Sequence, residues 1–213
     1  MAKADVKLMM VTTDNNNKFY NMHDNNNGTF TVTWGRVGTA GSTTTYDISD
    51  WDLKLRSKLK KGYKDVTGTT AKISEYAPVS DAEINKLLNA FLENSRQYVS
   101  HFTESTAISD DAAQEAQILI NKMAKNIDTP KPDNYTLNEF KKLEIQLCTI
   151  IPRKIKDVRT YVCNDLNERQ SHVIREQSLL DNLVNMTKNM PSSSGTTTIE
   201  DAFGFTITKC SQA

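Results

Sequence analysis

The stretch TFTVTWGRVGTAG, residues 29–41, decides how the N-terminal part of the chain is read. Thr29-Phe30-Thr31-Val32-Thr33-Trp34 alternates polar and apolar side chains, the two-residue period of a strand with one buried face. The alternation ends on a tryptophan, drops to Gly35, presents the guanidinium of Arg36 and then meets two more glycines, Gly38 and Gly41. On residue chemistry two readings stand. Either Trp34 is core and Gly35 a turn, or the triplet is a binding surface: a flat ring for stacking, a point of close approach, and a fork of donors that matches phosphate.

Upstream, Asn27-Gly28 is a hairpin signal, because both residues tolerate positive φ. It predicts antiparallel strands over 17–23 and 29–35, with a further strand over 6–11. Downstream, DLKLRSKLKKG, residues 52–62, reads as a helix that packs Leu55 and Leu59 on the sheet and stops at Gly62. Lys54, Arg56, Lys58, Lys60, Lys61 and Lys64 fall within eleven positions that contain no acid. The bland reading of this run is a soluble helix face.

From residue 80 the period changes to three and four. Ser80-Asp81-Ala82-Glu83 has the form of a capping box, followed by an apolar face of Ile84, Leu87, Leu88, Phe91, Tyr98 and Phe102. A second helix is expected from Ser109, with Ala113, Ala116, Ile120, Met123 and Ile127 inward. A third is expected from a capping box at Thr136-Leu137-Asn138-Glu139, interrupted by Pro152. A last long helix carries Val173, Leu179, Leu180, Leu183 and Val184, and PSSSGTTT, residues 191–198, has linker composition. The predicted class is α+β. A small antiparallel-sheet module with a packed helix (1–76) is followed by an all-α bundle (80–190) and a tail (191–213).

The 213 residues are 38% hydrophobic with zero net formal charge, so no overall field draws the chain to a polyanion. The balance is uneven: residues 1–76 hold 11 Lys/Arg against 8 Asp/Glu, which makes them the better candidate for a polyanionic partner. Cys148, Cys163 and Cys210 form neither a CxxC pair nor a zinc spacing, and no apolar run approaches the ~20 residues of a membrane span. An intracellular protein with no membrane partner and no metal site is expected. His23, His101 and His172 are scattered, and no P-loop, GxSxG, HExxH or GxGxxG is present. No catalytic constellation is legible, and the helix carboxylates read as solvated surface.

NNNKFYNM (15–22), WGRVGTAG (34–41) and a Lys-rich helix ending in KKGY (60–63) together resemble the WGR domain of the poly(ADP-ribose) polymerase family. The later segments EFKKLEIQLCTIIPRK (139–154) and SLLDNLVNM (178–186) are similar to the helical regulatory domain that follows WGR in that family. The resemblance implies DNA strand breaks or 5′ ends as the partner. Trp34 would stack on sugar or base, Gly35 would permit approach, and Arg36 would bond phosphate or bridge to the helical domain. Asn17 and Lys18 would lie beside them, with Lys60, Lys61 and Tyr76 as further phosphate contacts. It also implies an ADP-ribosyltransferase domain, in cis or in trans, whose NAD access the helical part controls. The His-Tyr-Glu set of that domain is absent from this sequence, so no cofactor is expected in this chain itself and NAD only in a parent enzyme. The implied location is the nucleus in a eukaryote, or the cytoplasm or nucleoid in a bacterial or phage setting. Two rivals are an enzyme whose catalytic part lies beyond residue 213 and a non-catalytic protein-interaction adaptor.

Overall fold

The computed structural model describes residues 2–70, 75–76, 82–188 and 190–191. Strands β1 (Val6–Thr12), β2 (Asn16–Asp24), β3 (Thr29–Arg36) and β4 (Ser42–Asp47) and helix α1 (Trp51–Lys60) are followed by the two-residue strand β5 (Lys64–Asp65). The strands form one antiparallel sheet in the order β4-β3-β2-β1-β5. The expected hairpin is present, with Tyr20 opposite Trp34 and Lys18 opposite Arg36. Its turn differs from expectation: positive φ falls on Asn26 and Gly28, not on Asn27 and Gly28. The loop is thereby longer than a two-residue turn. The Asp24 carboxylate accepts the Asn26 N–H at 2.8 Å and holds the bend.

Alternation gives the sheet two faces. Leu8, Tyr20, Met22, Phe30 and Val32 pack with Trp51 and Tyr63 under α1. The other face sends Met9, Val11 and Phe19, with Val37 of the loop after β3, against the helical region. Helix α1 ends as expected at Gly62, φ 88°. The face it buries is set by Trp51 and Leu55; Leu59, expected inward, is exposed.

The helical region contains α2 (Ala82–Phe102), α3 (Asp110–Ile127), α4 (Asn134–Ile150), the one-turn α5 (Val158–Tyr161) and α6 (Arg169–Lys188). Helix α6 lies against α2 and α3, and α3 also packs on α4. Ile120, Met123, Phe140, Leu147, Leu179 and Leu183 form the centre of this bundle. Ser109 caps α3 by accepting the Ala112 N–H, as the sequence suggests. The capping box of α4 sits three residues earlier than expected: Asp133 is the cap and Thr136 the residue that reaches back. On α2 the buried residues are Leu92 and Val99, whereas Leu87 and Phe91 are 56% and 60% exposed. The Ser80-Asp81 cap and residues 192–198 of the expected linker lie outside the described residues. Strands β6 (Glu75–Tyr76) and β7 (Met190–Pro191) pair in parallel, so the backbone before α2 meets the backbone after α6.

Candidate nucleic-acid interface

The glycines of residues 34–41 are explained by the chain's own backbone. A Cβ on Gly35 would stand 2.8 Å from the Cα of Gly41 and 3.3 Å from the Phe19 ring. A Cβ on Gly41 would stand 2.6 Å from the Trp34 carbonyl oxygen, and Gly41 also has φ +73°. The loop after β3 therefore folds back onto the strand it leaves. This brings the segment following Arg36 under Phe19 and fixes where Arg36 emerges.

Arg36 does not project freely. Its guanidinium donates to the Asn15 carbonyl at 3.1 Å, to the Asn15 side-chain oxygen at 2.7 Å, and to the carbonyl of Lys156 in the helical region. Asn17 is wholly buried, and its amide donates to the carbonyls of Arg153 at 2.8 Å and Ile155 at 3.4 Å. Asn15 accepts the Val158 N–H at 2.9 Å. The NNNKFYNM block and the arginine of the triplet thus meet the segment after Pro152 and join the two regions. Asn17 is placed at this junction and not on an exposed face.

Trp34, Lys18 and Lys61 lie elsewhere, around the outer end of the α1-covered face. Trp34 is half-buried and packs at the margin of that cluster, opposite Tyr20 in register. The Lys58 ammonium lies 4.1 Å from the Tyr20 ring centre and 5.4 Å from that of Tyr63, and Lys54 lies 3.9 Å from that of Tyr46. Burial, followed by the charges of Lys61, Lys54 and Lys18, lowers the Lys58 pKa. Burial first, and then Tyr46 and Tyr63, push the Tyr20 hydroxyl up to about 12. Two ammonium groups, of Lys54 and Lys58, therefore lie over aromatic rings, with those of Lys61 and Lys18 close enough to act on Lys58, and an anion would relieve their mutual repulsion. Lys60 is exposed, two residues along α1 from Lys58 and on another side of the helix. The side chain of Tyr76 lies outside the described residues. Lys58, which the sequence marks only as a member of the basic run and not as an expected contact, is the centre of the group; its spacing of four from Lys54 is the available signal.

A second group was missed altogether. Glu144 and Glu176, expected as solvated surface, are both buried. Glu144 accepts the Cys163 N–H at 2.7 Å and pairs with His172 Nδ1 at 2.6 Å. Glu176 accepts from Tyr161 at 2.7 Å and Arg175 at 3.0 Å and pairs with the wholly buried Arg153. Burial disfavours both charges of the Arg153–Glu176 pair, but their mutual attraction overcomes it: the carboxyl falls below and the guanidinium rises above its ordinary value. This network fastens the segment 151–163 to α4 and α6. The Arg153 and Ile155 carbonyls that Asn17 reads lie on that fastened segment. No group of three metal-ligating side chains is placed to hold an ion among the described residues, and no described helix is long and apolar enough to cross a membrane.

Residues 6–70 match the WGR domain, a nucleic-acid-binding module. The chain is 35% identical over 189 residues to the uncharacterized protein 101L of Invertebrate iridescent virus 6, covering 85% of this chain and 77% of that protein. It belongs to the same family as that viral protein. A crystal structure of a Bacteroides fragilis protein aligns with 57% of this chain at 14% identity and a TM-score of 0.27, and the chain spans 39% of that protein's length.

Proposed function

We propose that the chain binds DNA ends through the Trp34, Lys18, Lys54, Lys58 and Lys61 face, and that the helical region reports or transmits that binding. The observation that carries this reading is the seating of Lys54 and Lys58 over Tyr46, Tyr20 and Tyr63, where burial and then the charges of Lys61, Lys54 and Lys18 lower the Lys58 pKa. Phosphates supply the missing counter-charge, and the half-buried Trp34 offers ring surface to a terminal base or sugar. Arg36 and Asn17 serve as the joint: Arg36 bonds the Lys156 carbonyl, so a ligand that displaces residues 34–36 also loads the helical region.

The helical region's part in this reading is to regulate an ADP-ribosyltransferase domain in cis or in trans. The exposed Leu87 and Phe91 on α2 favour a protein partner on that side, which the pure adaptor reading shares. Salt-dependent DNA binding separates the two readings. The chain by itself is expected to release no nicotinamide from NAD in the presence of nicked DNA.

The test is a fluorescence anisotropy titration of intact, nicked and 5′-phosphorylated blunt duplexes over a range of salt. Trp34→Ala is expected to weaken end binding by roughly 1–3 kcal/mol. Lys58→Ala and Lys61→Ala should each flatten the salt slope by about one unit on all three duplexes, with Lys60→Ala doing less. Equal weak affinity for the three duplexes overturns end recognition. Absence of salt-dependent binding overturns the nucleic-acid reading itself.

A further inference from the structure

Strand β4 is the last strand on its side of the sheet. Its sequence, STTTYD, is rich in strand-forming side chains and carries neither Lys nor Pro, the usual guards of an open edge. The outward groups can be assigned. The Ile48 N–H donates to the Gly28 carbonyl at 2.9 Å, which extends the Thr29–Asp47 register by one pair. Hydrogen-bonded pairs recur at every second residue of an antiparallel ladder. Ser42, Thr44 and Tyr46 therefore direct their main-chain groups to β3, and Thr43 and Thr45 direct theirs outward. No main-chain hydrogen bond from a described residue reaches this outer edge.

We infer that β4 is a self-association edge and pairs antiparallel with β4 of a second copy about a two-fold axis at Thr44. This register satisfies every constraint on the strand. Thr43 lies opposite Thr45 of the second copy and the converse, so four outward main-chain hydrogen bonds form. Thr44 faces itself at a non-hydrogen-bonded site, and Ser42 faces Tyr46. Side chains stay on the sheet face they occupy within one copy. The exposed Thr31–Thr45 and Thr33–Thr43 pairs, 3.5 and 3.4 Å between hydroxyl oxygens, continue across the axis as further Thr–Thr pairs, a favoured combination. The only charged side chain, Asp47, faces Gly41, so no like charges meet. A one-residue shift would set buried-side residues against open-side ones. A strand partner of unrelated sequence has no such claim on the register. The axis runs perpendicular to the sheet, so the α1 helices of both copies lie on one side. This association is independent of the DNA reading.

The test is sedimentation of the full chain without DNA over rising concentration. The expected mass moves from 24.0 kDa toward twice that value. Thr45→Pro removes an outward donor and leaves the β3 ladder intact, so it should return the chain to a single copy with an unchanged circular dichroism spectrum. A register test that does not rely on that variant folding uses Thr44→Cys in a Cys210→Ser background. At a non-hydrogen-bonded site the Cα atoms stand about 4.5 Å apart, within disulfide reach. Mild oxidation should cross-link Thr44→Cys and not Thr43→Cys, which faces Thr45. A single-copy mass up to the solubility limit overturns the inference, as do equal cross-linking yields at the two positions.

Discussion

At the scale of single residues, the triplet that suggests a binding site is built first for its own chain. Gly35 and Gly41 are in backbone contact, and this is what allows the strand end to fold back. Gly35→Ala is expected to destabilise the fold by about 1–3 kcal/mol, because the nearest atom the added methyl meets belongs to the main chain of Gly41 and cannot swing aside as a side chain could. Gly41→Ala should cost more, since its positive φ adds strain to a closer clash. Urea denaturation of both variants checks the order; a neutral Gly35→Ala would mean that the contact with Gly41 relaxes freely. The sequence shows that glycines are needed here, but not whether a ligand or the chain itself makes the close approach. Both leave the same empty Cβ position, and only the third dimension distinguishes them.

At the scale of elements, strands and helices were legible wherever local period and burial agree. The β2–β3 hairpin, the Ser109 cap and the inward face of α3 follow from residue order alone. The errors arise where tertiary context chooses between adequate faces. Leu87 and Phe91 keep helical spacing, yet α2 turns Leu92 and Val99 toward α6, which leaves them outside. Glu144 and Glu176 read as surface because nothing local shows that Arg153 reaches Glu176, or that His172 and Arg175 reach Glu144, from distant positions. The Lys run announced the basic face, but the aromatic rings beneath Lys54 and Lys58 come partly from other strands. The buried pair has a testable pH signature. The Glu176 pKa is lowered on folding, since attraction to Arg153 and Arg175 outweighs burial. Its contribution is therefore present above the ordinary glutamate pKa and is lost as pH falls through the depressed folded value. Melting followed from neutral to acid pH should show this loss, and Glu176→Gln should flatten that part of the profile. Truncating Arg153 to Met should cost roughly 3–5 kcal/mol at neutral pH by leaving a buried carboxylate without its main partner. An unchanged acid profile in Glu176→Gln would assign the acid sensitivity to other carboxylates.

At the scale of the molecule, the sheet and the bundle differ in period and composition but share an apolar seam. Met9, Val11 and Val37 from one meet Cys148, Val158 and Val162 from the other, and Asn17 and Arg36 stitch its edge. Residues 1–76 expressed alone are expected to expose that seam and to melt at a lower temperature than the same sheet in the full chain, as read by the near-ultraviolet signal of Trp34 and Trp51. Equal melting temperatures would show that the seam contributes nothing to the sheet. The parallel pairing of β6 with β7 bears on a different property, the response to pulling. Two parallel strands drawn from opposite ends slide along each other, so their cross-links are loaded together and not one after another. A force applied between residues 75 and 191 thus meets this short clamp in shear before it draws on the helices that lie between those residues in the chain.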